Sequence, residues 1–127
     1  MARTLVIDPV DVMERGTPIV EFQIADHDGA ALTLSQISTM ELTLYDERAG
    51  LSGIINSRHV QNIKNANNVT IAAGGLATWS TQAADHPVLF PQRPGQEREI
   101  HLARIRVTWA TGEHTFYIQF DVESQRL

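Results

Sequence analysis

Cysteine is absent from this chain of 127 residues, which removes disulfides, thiolate metal sites and cysteine nucleophiles together. An excess of positive charge is missing as well. Ten Lys and Arg stand against 15 Asp and Glu, a formal charge of −5, whereas a phosphate backbone is normally met by a concentrated basic face. No window approaches the run of about 18 apolar residues that a membrane helix needs. The opening MARTLVIDPVDV has no signal-peptide core, because Asp8 and Pro9 arrive too early. The expectation is a cofactor-free chain that binds neither nucleic acid nor membrane and carries no visible export signal.

Catalytic signatures are also wanting. There is no G-x-S-x-G elbow, no G-x-x-x-x-G-K-[ST] and no G-x-G-x-x-G. Five histidines (His27, His59, His86, His101, His114) are dispersed, with no pair at i, i+2 or i, i+4, so they read as surface or turn residues rather than zinc ligands. ADHDGA begins like a calcium loop at Asp26, Asp28 and Gly29, but position twelve is Ile37 where a glutamate is needed. It reads as a turn. Asp8, Asp11 and Glu14 read as a solvated N-terminal arm. No catalytic residue and no metal ligand is assigned, and the chain is expected not to be an enzyme.

What the sequence has is alternation. Val20, Phe22 and Ile24 share one face of PIVEFQIAD; Met40, Leu42 and Leu44 share one face of STMELTLYD; Phe116, Ile118, Phe120 and Val122 share one face of HTFYIQFDVE. A period of two over six or more residues marks a strand with one buried face. Residues 99–123 read as a complete hairpin turning at Ala110–Glu113, with Gly112 supplying a positive φ. Ile100 and Leu102 have the opposite parity to Ile105 and Val107, which calls for a bulge near Leu102 or Ala103, or for a strand that switches faces at the sheet's edge. Shorter strands are expected at Thr4–Ile7, Val69–Ala72 and Leu76–Thr81, the last two turning at Gly74–Gly75. Residues 86–96, with three of the five prolines, read as an extended crossover, and Ile54–Lys64 has room for one helical turn.

Seven to eight strands without a long helix predict an all-β antiparallel sandwich, immunoglobulin-like but without a disulfide; a jelly roll or small barrel competes. Residues 1–17 form an arm and first strand, and 18–127 the single sandwich domain. The predicted core is Phe22, Leu42, Leu44, Trp79, Ile105, Val107, Trp109, Phe116, Ile118 and Phe120.

Two surfaces are candidates for contact. Arg104 and Arg106, beside Tyr117 on the paired strand, make a cationic and aromatic patch of the kind favoured at interfaces. The run GIINSRHVQNIKNANNVTI holds five asparagines, which tolerate left-handed backbone and form local turns. It suits either an irregular bridge between sheets or a recognition surface bearing Arg58, His59, Asn62, Lys64, Asn65 and Asn67.

The motifs Tyr45-Asp46, Ile54–Arg58, Asn65–Thr70 and Leu76–Trp79 through Gln82 to Asp85, followed by strands ending VTW and HTFYIQFDV, resemble a class of small proteins from the structural gene clusters of tailed bacteriophages. The resemblance covers residues 38 to 122 and carries no catalytic residues. It implies an Ig-like module in the virion, attached to the capsid or the head-tail (neck) region as a decoration, stabilising or adaptor protein. Such a module is made in the bacterial host cytoplasm, and its partners are capsid, neck or tail proteins and further copies of itself. The alternative is a carbohydrate- or cell-surface-binding module, which requires Trp79 and Trp109 to lie exposed.

Overall fold

Alternating side chains become eight strands in the computed structural model, which describes residues 9–89 and 98–124. These are β1 (Val10–Met13), β2 (Ile19–Gln23), β3 (Ile37–Asp46), β4 (Gln61–Asn62), β5 (Val69–Ile71), β6 (Leu76–Ser80), β7 (Arg98–Trp109) and β8 (Gly112–Glu123). They form two sheets, ordered β1-β8-β7-β3-β4 and β2-β6-β5. Every pairing is antiparallel except that of β1 with β8, which is parallel. The result is an all-β, immunoglobulin-like sandwich. The expected strand at Thr4–Ile7, Asp8 and residues 90–96 of the crossover lie outside the described residues.

The inner faces supply the core. Nine of the ten predicted core side chains are buried, and the sheets meet through edge-on contacts of Phe22 with Phe116 and of Trp79 with Phe120, both at 5.5 Å. A fully buried side chain of this size contributes about 1.5–3 kcal/mol before conformational entropy is set against it. Trp109 departs from the prediction. It is only partly buried and stacks on His27, with centroids 6.1 Å apart, at the position where β7 ends.

The two predicted hairpins form, with corrections of detail. β5 and β6 turn at Gly74–Gly75, where Gly75 has φ +89° and a Cβ would fall 1.9 Å from the Leu32 carbonyl oxygen. β7 and β8 pair without interruption from Arg98–Glu123 to Trp109–Gly112, so the turn is the pair Ala110–Thr111. Gly112 is not in the left-handed region; it is small because a Cβ would meet the Trp109 ring at 3.1 Å.

The expected bulge near Leu102 is likewise absent. β7 keeps one parity throughout, so Ile100 and Leu102 face outward while Glu99, His101 and Ala103 face inward. Two polar side chains therefore enter the interior from this strand.

Two further readings change. Residues 10–13 are not a free arm but an edge strand, continued by Glu14 N–H donating to the Glu123 carbonyl at 2.8 Å. The helical turn expected within 54–64 sits earlier, as a 3-10 turn at Gly50–Gly53. In its place the connection takes positive φ at Asn56, Ser57, Val60, Asn65, Asn67 and Asn68.

Candidate functional sites

The asparagine-rich connection closes around Arg58. Left-handed backbone at Asn56 and Ser57 doubles the chain back and turns Arg58 inward, where it is 2% exposed. Its Nε donates to Asp85 Oδ1 at 2.6 Å and Nη2 to Asp85 Oδ2 at 3.1 Å. Nη1 reaches Gln61 Oε1 and the Asn67 carbonyl, and Nη2 also reaches Asn68 Oδ1. All five N–H groups of the guanidinium are thus used, and its carbon lies 5.5 Å from the centre of the Trp79 ring. Burial pushes the Asp85 carboxyl upward, but hydrogen bonds from Arg58, Asn56 and the Gln82 backbone hold it below the usual range.

Arg58 is therefore no interface residue. A charge this deep is tolerated only when it is paired and hydrogen-bonded, and the neighbouring residues provide that. Others in the run are similarly engaged. Asn65 Oδ1 accepts from Ile71 N–H at 2.6 Å, Asn67 Nδ2 donates to the Asn62 carbonyl at 2.7 Å, and Lys64 Nζ donates to the Ile37 carbonyl at 2.8 Å. His59 is exposed. The bridge between sheets is the role these contacts serve.

Asp85 leads into a second buried group. His86 is fully buried against Phe120, with ring centroids 4.8 Å apart and neither ring nitrogen hydrogen-bonded. Burial lowers its pKa to about 4, and only the nearby Asp85 charge opposes that. His101 also acts on it electrostatically. His101 itself is buried, with Nε2 2.9 Å from Glu99 Oε1 and 3.8 Å from Asp46 Oδ2. Glu99 Oε1 further accepts from Leu89 N–H at 2.8 Å. His114 is buried as well. Three of the five histidines are thus interior, against the expectation of surface positions.

The third place is the outer face of the larger sheet. Pairing aligns Thr43, Arg104 and Tyr117 in one row, and Glu41, Arg106 and Thr115 in the next. Arg106 is bound to Glu113 and lies 3.7 Å from Glu41. Arg104 is exposed and has no ion-pair partner among the described residues. Tyr45 feels both Tyr117 and Arg104, and burial raises its pKa. Val60 lies beside this row, 54% exposed, with φ +50° and its N–H bound to Thr43 Oγ1 at 3.0 Å. A β-branched residue seldom adopts that conformation. Glu41, Thr43, Val60, Arg104 and Arg106 line a depression of about 110 Å³, well below the roughly 300–1,000 Å³ of small-molecule pockets.

The three predicted patch residues, Arg104, Arg106 and Tyr117, thus share one face. The buried Asp46–Glu99–His101 group was missed by sequence reasoning, although strict alternation along β7 places Glu99 and His101 inward. Trp79 is fully buried, which removes one of the two rings that a glycan platform requires.

No family model matches the sequence, and no curated protein matches it. Among solved structures, the chain is similar to one described as "Chimeric titin Z1Z2 functionalized with a KLER exogenous peptide from decorin". The identity is 14%, over 92% of this chain and 87% of that one, with a TM-score of 0.41. Its own two sheets and their pairing define the chain as an all-β sandwich.

Proposed function

We propose that the chain is a non-enzymatic structural module of a tailed-phage particle, bound to a capsid, neck or tail protein through the outer face of its larger sheet. One observation carries this reading: an apolar side chain, Val60, is presented to solvent in a strained backbone beside Arg104, which has no ion-pair partner among the described residues. Left-handed backbone at a residue of this kind costs on the order of 1–3 kcal/mol, and a strained, exposed apolar residue beside an arginine has the make-up of an interface anchor. The motif resemblance over residues 38 to 122 supplies the class of partner. A shallow depression suits a protein surface better than a small ligand.

The test is sizing by light scattering, alone and with particles that lack the protein. Stoichiometric binding, lost in Arg104→Glu and in Val60→Asp while both variants keep the native melting profile, is the expected result. A monomer that ignores the particle, or binding untouched by both substitutions, overturns the proposal. Capture by an immobilised glycan instead would favour the carbohydrate-binding alternative.

A further inference from the structure

We infer that Asp46, Glu99 and His101 form a binding site for one divalent cation of the zinc class, at the end of the sandwich where β3 meets β7. Three side chains, two of them carboxylates, are drawn together from both strands with at most 2% exposure. One donor atom of each lies within 4.8 Å of the others. Ligands held about 2.0–2.1 Å from a tetrahedral zinc ion are separated by roughly 3.4 Å. The spacings from His101 Nε2, 2.9 Å to Glu99 and 3.8 Å to Asp46, bracket that value.

Two further observations point to a ligand. Asp46 Oδ1 accepts the N–H groups of Arg48 and Ala49, both at 3.0 Å, which fixes the carboxylate and turns Oδ2 toward His101 with no hydrogen bond of its own among the described residues. Beside it, His101 Nδ1 and both nitrogens of His86 are buried without hydrogen-bond partners. Two carboxylates and an imidazole converging in the interior make a donor set for a dication.

The donor set, one imidazole and two carboxylates without sulfur, suits zinc and its first-row neighbours better than the all-oxygen shells of calcium or magnesium. A depression of about 100 Å³ is lined by Asp46, Arg48 and Arg98. Those arginines oppose a cation, so affinity rests on the two anionic ligands.

The experiment is titration of the metal-free protein with Zn2+ at pH 7.5, followed by calorimetry, thermal melting and the imidazole nitrogen resonances of His101. Expected are saturation at one equivalent, a raised melting temperature and a shifted Nε2 resonance. Asp46→Asn keeps the oxygen that caps the turn and should bind at least about tenfold more weakly. The exposed pair His27–Asp28, with 3.4 Å between its nearest atoms, is the competing surface site, and His27→Gln should leave affinity unchanged. An unmoved His101 resonance, affinity retained in Asp46→Asn, or binding abolished by His27→Gln overturns the assignment.

Discussion

The Arg58 guanidinium stands over Trp79 while holding Asp85 in two hydrogen bonds. One side chain from the irregular connection thereby ties the second sheet to the segment that follows it.

Removing the cation strands the anion. Arg58→Met should destabilise the fold by about 3–5 kcal/mol, the usual cost of leaving a buried charge unpaired. Replacing both partners by apolar residues of similar volume should recover much of that loss. Urea unfolding of the two single variants and the double variant measures the coupling.

Acid should weaken the protein in two stages. His86 has its pKa lowered from 6.5 to about 4, so the unfolded chain binds the proton more readily than the folded one. Its contribution is complete above about pH 6.5 and is lost as the pH falls toward 4, up to about 3 kcal/mol in all. Asp85, also lowered, follows at more acid pH, since its contribution disappears as the pH falls through its folded value. A His86→Phe variant, if it packs, should flatten the first stage only. Melting temperature against pH from 7 to 3 separates the two.

The glycine pair between β5 and β6 should respond in opposite senses. Gly75→Ala places a methyl group against the Leu32 carbonyl in a left-handed backbone, a loss of well over about 1 kcal/mol. Gly74 has open space around it and no positive φ, so Gly74→Ala should be neutral or stabilise by about 0.4–1 kcal/mol. Equilibrium unfolding of the two variants gives the comparison.

The tryptophans should differ in access to solvent. Iodide should quench part of the fluorescence, from the half-buried Trp109, and leave the signal of the fully buried Trp79. In Trp109→Phe the quenchable fraction should vanish. Equal quenching of both would contradict the packing of Trp79 against Phe120.

Strands were legible because alternation is a local signal. Phe116 to Val122 and the Gly74–Gly75 turn needed no knowledge of distant partners. Arg58 was misread because its burial depends on Asp85 and Asn68, and nothing near an arginine in sequence announces a buried partner far along the chain. Glu99 and His101 were misread for a different reason. A bulge was invoked to keep Ile100 and Leu102 inside, when the strand in fact exposes them and buries charge. There the hydrophobic pattern gave way to the network of Asp46, Glu99 and His101, whose members come from two strands.

The parallel pairing of β1 with β8 has a mechanical meaning. The chain enters at the start of β1 and leaves at the end of β8, and these strands run side by side in the same direction. Tension between the two flanks pulls them past each other lengthwise. It therefore loads the rungs between Val10–Met13 and Phe120–Glu123 together, in shear, rather than peeling them one by one.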